Sequence, residues 1–206
     1  MKPTRIPLFP LDLVLFPGMP LPLHIFEPRY KQMIGVCLAE KVEFGTILAS
    51  KKGIATVGCT AEIVEKLKEY PDGRMDILTE GRRVFALIEL LSEKPYHEGI
   101  VEYPPEDSAP RDAAKEAQLT QLFDQCHAAM FGRSWTSTRR ASEVPLVYQV
   151  AARLPLPLEE KQALLEMRSQ NERQNLLIQR MTDLLPHLAQ QQQVRRSAQG
   201  NGHPPN

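Results

Sequence analysis

The sequence predicts an α+β fold, in which a β-rich first half carrying one helix is followed by a helical bundle. Three observations carry this. As far as Tyr103 the apolar residues come in short runs cut by proline and turn signals; from Arg111 onward they recur at helical spacing; and Pro104-Pro105-Glu106-Asp107-Ser108-Ala109-Pro110 is a polar, proline-rich stretch that marks a boundary. The expected division is 1–108 for the β-rich part, 111–195 for the helical part and 196–206 for a disordered tail.

The elements follow in order. Ile6 to Phe16 is apolar and β-friendly, and its prolines confine it to edge or bulged positions because proline donates no ladder hydrogen bond. Pro17-Gly18 turns the chain into a second strand, Leu21 to Phe26. Glu27-Pro28-Arg29-Tyr30 then starts a helix, since proline suits the first helical position and an acid suits that end. Tyr30, Met33, Ile34, Cys37 and Leu38 form its buried face. Phe44 to Ala49 and Ala55 to Cys59 read as strands. Ala61 to Tyr70 satisfies strand and helix patterns alike, and the tight turn Pro71-Asp72-Gly73 beside it decides for a hairpin. Met75 to Leu78, Val84 to Leu91 and Tyr96 to Tyr103 complete the strands.

In the second half, Leu119, Leu122, Phe123, Cys126 and Met130 share one stripe of a helix that Gly132 ends. Further helices are expected over Val144 to Ala152 and Glu159 to Met167, separated by Leu154-Pro155-Leu156-Pro157. A last helix starts at Ser169, with Glu172 completing a capping-box pattern, and Pro186 is expected to kink or break it.

Composition limits function. The chain has 206 residues, enough to bury a core without disulfides or metal, and 25 basic residues balance 25 acidic ones. That balance leaves no net field for phosphate backbones or anionic membranes. Three widely spaced cysteines fit neither a disulfide framework nor a zinc site and point to a reducing, cytoplasmic setting. No apolar run reaches the roughly 20 residues that span a bilayer.

Catalytic motifs are missing from the sequence: no phosphate loop, no dinucleotide fingerprint, no H-E-x-x-H and no G-x-S-x-G. No cofactor is implied. Cys126 and His127 are neighbours, but neighbours on a helix point about 100° apart, which argues against a dyad. Four residues are candidates for binding. His24, beside Phe26 in a Leu-rich strand, is either exposed in a groove or a satisfied core histidine; Glu27 and Arg29 form either a functional charge pair or helix-start structure. Trp135, in a polar connection between helices, is either a plug over the core or a contact residue. The pairs Arg82-Arg83 and Arg139-Arg140 lack the interleaved aromatics of single-strand binders and read as solvated surface.

The segments Ile6-Pro7-Leu8-Phe9-Pro10-Leu11, Val14-Leu15-Phe16-Pro17-Gly18 and Pro20-Leu21-Pro22-Leu23-His24-Ile25-Phe26-Glu27-Pro28-Arg29-Tyr30 resemble the opening of the N-terminal substrate-binding domain of Lon proteases. Val57-Gly58-Cys59-Thr60-Ala61-Glu62-Ile63, Pro71-Asp72-Gly73-Arg74 and Glu80-Gly81-Arg82-Arg83-Val84 extend the resemblance, as do Glu159-Glu160-Lys161-Gln162 and Leu164-Leu165-Glu166. It implies a PUA-like pseudo-barrel followed by a helical bundle, with Phe26 and Tyr30 filling the core. It assigns no catalytic residue. The chain ends where the ATPase module of such a protease begins, so neither a nucleotide loop nor a Ser-Lys dyad is expected.

The function expected is non-catalytic binding of unfolded or extended polypeptide in protein quality control, through an apolar groove on the β-rich part or where the two parts meet, with an exposed sheet edge or apolar patch supplying the contacts. A separate ATPase or protease is a further expected partner, which would make the chain an adaptor. RNA binding is the alternative that PUA-like barrels bring with them, and zero net charge counts against it. A hydrolase built on Cys126 or His24 lacks a base and an orienting partner.

Overall fold

The structure, a computed structural model, describes residues 3–105, 112–135 and 144–200, with side chains as far as residue 190. The linker residues 106–111, the Arg139-Arg140 pair and residues 201–206 of the expected tail lie outside the described residues. Two compact units emerge: Met1–Glu106 with Ala151–Arg168, and Asp107–Val150 with Ser169–Asn206. The expected division at 108–111 is therefore not a simple one, because the chain returns to its first unit.

The first unit contains β1 (Thr4–Leu11), β2 (Pro20–Ile25), α1 (Pro28–Glu40), β3 (Phe44–Ser50), β4 (Gly53–Glu69), β5 (Met75–Leu91) and β6 (Glu98–Glu102). One six-stranded sheet runs β2-β5-β4-β3-β1-β6, and an additional β5–β6 pairing closes five of its strands into a ring. This is the expected pseudo-barrel. β2 stays outside the ring, paired only with β5, from Pro20 against Glu80 to Ile25 against Met75.

Two strand expectations change. β1 stands between β3 and β6 and is not an edge of the sheet. Its prolines are tolerated because each half has one partner: Thr4 to Pro7 pairs β6, and Leu8 to Leu11 pairs β3. The strand also stops at Leu11, leaving Val14, Leu15 and Phe16 as buried residues of an irregular segment. β4 and β5 are single strands of 17 residues each, where the sequence suggests four shorter ones. Register shifts between Cys59 and Ala61, Ile63 and Glu65, and Lys66 and Lys68 absorb the irregularities that read as breaks.

α1 begins with Pro28 at its first turn and ends at Lys41, whose left-handed backbone (φ 55°) closes the helix. Tyr30, Met33, Ile34 and Cys37 are buried on one face, as their spacing requires, and join Phe9, Leu15, Ile25, Phe44 and Ile77 in the main core. Burial of each of Met33 and Ile34 is worth about 1.5–3 kcal/mol. A second cluster of Ile6, Leu8, Ile47, Phe85 and Val101 is drawn from strands alone. α4 (Leu158–Glu166) belongs to this unit, and the Gln162 side-chain amide donates to the Val57 carbonyl of β4 at 3.0 Å.

Phe26 departs from the reading. It is expected in the core, but 59% of it is exposed. The reason is strand parity: Leu21 and Ile25 point inward, so Phe26 faces the other way. Phe26→Ala is accordingly expected to change stability by no more than about 0.5 kcal/mol, the range of surface substitutions. A thermal melt checks this against the roughly 3–5 kcal/mol of a core phenylalanine.

The second unit is built around α2 (Ala113–Phe131) and α5 (Gln170–Gly200). The Asp112 side chain accepts from the Ala114 and Lys115 amides at the start of α2, and Gly132 (φ 72°) ends it. Leu119, Phe123 and Cys126 are buried on α2, as are Leu177 and Met181 on α5. The Cys126 thiol lies 3.8 Å from the Met181 carbonyl. α3 (Leu146–Arg153) precedes the Pro155 and Pro157 break. α5 runs on through Pro186, where a kink or a break is expected, without a break, and includes residues 196–200 of the expected tail. Leu and Gln on both sides, with Ala189 beyond, favour helix strongly enough to carry it past the missing hydrogen bond.

Candidate functional site

Beyond the ring, β2 and the adjoining ends of β4 and β5 form a three-stranded arm. Register places His24 opposite Asp76, and Asp76 opposite Lys68. His24 Nδ1 lies 2.5 Å from Asp76 Oδ1, and the Tyr70 hydroxyl donates to Asp76 Oδ2 at 2.9 Å. The imidazole stacks on Phe26 with ring centroids 5.9 Å apart and meets Tyr70 edge-on at 6.0 Å. Lys68 and Arg74 sit over the Tyr70 ring at 4.4 and 5.0 Å. One carboxylate thus organises an aromatic cluster whose outermost member is the exposed Phe26.

Further apolar side chains project from the barrel, and pairing explains them. At the register shifts, Val64 and Leu67 are the extra residues of β4, and Ile88 is the extra residue of β5. All three are exposed. A bulge adds one unpaired residue and re-aims its side chain, so apolar residues that strict alternation would tuck in are turned to solvent. Val64 and Leu67 lie on the β4 part of the arm; Ile88 lies on the other half of β5.

The sequence candidates fall out unevenly. His24 belongs to the arm cluster. Glu27 and Arg29 pair with each other at 2.8 Å, and the Arg29 guanidinium lies 4.6 Å from the Tyr30 ring centroid, which ties both to the start of α1. Trp135 belongs to the second unit, its ring 5.2 Å from Phe123 and its backbone amide donating to Asp124 at 2.8 Å. The four thus have three separate sets of partners, two in the first unit and one in the second. Tyr70 and Asp76, absent from the candidates, complete the cluster around His24; only strand register could have revealed them.

The three cysteines are buried. Burial pushes the Cys37 thiol up to about 11 and raises those of Cys59 and Cys126 as well, which disfavours the reactive thiolate. Cys126 and His127 do not face each other: the thiol is directed to Met181, and the imidazole to the Arg133 carbonyl at 2.9 Å. Among the described residues no group of three or more His, Cys, Asp or Glu side chains could hold a metal, and no helix is long and apolar enough to cross a membrane.

Several carboxylates are tuned toward the ionised form. Hydrogen bonds from His24 and then Tyr70 hold Asp76 below its ordinary range, and hydrogen bonds from Arg74 do the same for Asp72. Burial pushes Glu98 up, but hydrogen bonds from Arg5 and Lys94 outweigh it and leave Glu98 lowered. A carboxyl group lowered in the folded state contributes stability that is complete above the unfolded value, about pH 4. That contribution is lost as pH falls through the lower folded value. Melting temperature is therefore expected to be flat from pH 7 to 5 and to drop steeply below about pH 4. Glu98→Gln should make the acid limb shallower.

The first unit is thus a ring-closed mixed sheet with an arm that carries exposed aromatic and aliphatic side chains. The chain belongs to the family of the ATP-dependent protease La (LON) substrate-binding domain, which it matches over residues 5–183. It is 32% identical over 130 residues to the Lon protease of Parabacteroides distasonis, covering 58% of this chain and 16% of that protein. Against the Escherichia coli K12 Lon protease it is 27% identical over 216 residues, covering 95% of this chain and 27% of that protein. The chain thus spans about a quarter or less of the curated relatives it matches, and the part matched is the substrate-binding module, not the ATPase or protease module. Among solved structures, the Lon N-terminal domain protein from Xanthomonas campestris superposes with a TM-score of 0.67 at 22% identity, covering 85% of this chain and 97% of that one. The N-terminal domain of Mycobacterium avium complex Lon protease gives 0.64 at 19% identity, covering 87% and 99%. These likenesses establish the fold.

Proposed function

We propose that this chain binds polypeptide segments without catalysis, and that the arm formed by β2, β4 and β5 supplies the surface. The observation that carries this reading is the Phe26 side chain, 59% exposed and held in place by the His24 ring, which is itself fixed by Asp76. A rigid exposed aromatic gains contact area on binding at little entropic cost. Val64 and Leu67, turned outward by bulges on the same arm, add apolar surface. Membership of a substrate-binding family supports the same reading.

The test is a titration of a fluorescent, permanently unfolded polypeptide with the wild-type chain and with Phe26→Ala. Binding by the wild type that weakens about tenfold in the variant, equivalent to about 1.4 kcal/mol, is the expected result. Absence of wild-type binding at high micromolar concentration would sink the proposal. Unchanged affinity in the variant would remove the arm from it.

A further inference from the structure

Apart from the arm, a groove of about 540 Å³ lies between the first residues of β1, the end of α1 and the residues around β6. That is within the range of ligand sites, about 300–1,000 Å³. Four cationic side chains line it, Arg5, Lys41, Arg83 and Lys94, with Tyr96 and Tyr103 beside them. The lining acids are Glu40, Glu43 and Glu98.

These charges do not simply cancel. Glu98 is buried, and its carboxylate accepts from Arg5 at 2.6 Å and from Lys94 at 3.0 Å. Both cations are thereby fixed at the groove wall, yet Arg5 makes its two ion pairs through Nη2 alone. The Arg83 guanidinium lies 4.1 Å from the Tyr103 ring centroid, while its ion pair, to Glu43, is long at 3.3 Å. Ring stacking sets the orientation of the guanidinium and leaves its in-plane donors underused. Lys41 makes no ion pair among the described residues. An oriented guanidinium fork with spare donors, flanked by a lysine, matches the two oxygens of a carboxylate.

We propose that this groove is a second subsite that takes a carboxylate of a bound polypeptide, either an acidic side chain or the chain terminus, with Arg83 and Lys41 as its ligands. The proposal rests on the polypeptide-binding reading and deepens it. Tyr96, Tyr103 and the exposed Val42 give the same groove an apolar lining, so acidic residues set among apolar ones are the preferred sequence.

Two fluorescent peptides of one apolar sequence test this, the first with glutamates and a free C-terminus, the second with glutamines and an amidated end. The wild-type chain is expected to bind the acidic peptide about tenfold more tightly. In Arg83→Gln/Lys41→Asn the preference should shrink to within about twofold, while the neutral peptide binds as before. Asparagine suits the left-handed backbone at 41, and both side chains are exposed, so the fold is kept. Lys41→Asn alone should give part of the loss. Equal wild-type affinity for the two peptides overturns the subsite but leaves polypeptide binding standing, as does a preference that survives in the double variant. Binding of neither peptide overturns both. Tighter binding of a short RNA, lost in the same variants, would reassign the groove and overturn the proposal.

Discussion

Phe85→Ala is expected to cost about 3–5 kcal/mol, a large part of the stability of a domain this size. Phe85 is fully buried within the strand-only cluster, and its ring occupies space that two glycines leave open. A Cβ at Gly45 would fall 2.8 Å from Phe85 Cε1, and one at Gly58 would fall 2.5 Å from Phe85 Cζ. The three positions therefore act together, and a double-mutant cycle should show it. At Gly45 the obstacles are side-chain atoms, those of Phe85 and Leu8, so Gly45→Ala should be markedly less costly once Phe85 is alanine. A coupling of about 1 kcal/mol or more is expected from urea denaturation; additivity within about 0.5 kcal/mol would mean that the ring and the glycine are independent. At Gly58 the Thr46 backbone carbonyl, 2.4 Å from the added carbon, remains in the way, and Phe85→Ala should give little relief there.

Gly81→Ala should approach the same magnitude by another route. A Cβ at Gly81 would lie 2.2 Å from the Phe16 carbonyl oxygen and 2.9 Å from its carbon. These are backbone atoms of a segment already held to Gly81, whose carbonyl accepts from the Gly18 amide at 2.8 Å and whose amide donates to Met19 at 3.0 Å. The segment cannot move aside without losing both bonds. The expected loss is about 3 kcal/mol, the upper part of the usual range for overpacking, seen as a lower urea midpoint with unchanged slope. A midpoint shifted by less than a third of that would mean that the turn yields easily.

Where a local rule decides, the sequence is a good guide. Pro28 starts α1, Gly132 ends α2, and Pro71-Asp72-Gly73 makes the turn in which Gly73 takes φ 79°. Each depends on one residue's backbone preference. Ring closure depends instead on the distal half of β5 meeting β6, a pairing that no local pattern encodes. The candidate site divides the same way. His24 is visible as an unusual residue in an apolar strand, but Asp76 and Tyr70 join it only through a register spanning some 50 residues. At Phe26 two local signals conflict: alternation with Ile25 turns it outward, while its size and the family resemblance suggest a core role. The bulge residues resist a sequence reading altogether, because an extra residue becomes visible only when two strands are aligned.

β2 has one strand partner, β5, and its other side is open. An open strand normally invites a copy of itself or an incoming chain to zip on. Pro20 and Pro22 share a parity with His24 on this strand, and prolines are tolerated in a ladder only with the missing donor turned away from the partner. The open side therefore lacks two donors in succession, and a continuous backbone zipper cannot form along it. On the polypeptide-binding proposal, such an edge keeps the protein from being annealed into an aggregate of the chains it meets. Contacts proposed for the arm would then come from side chains, which release more readily than a strand annealed into the sheet.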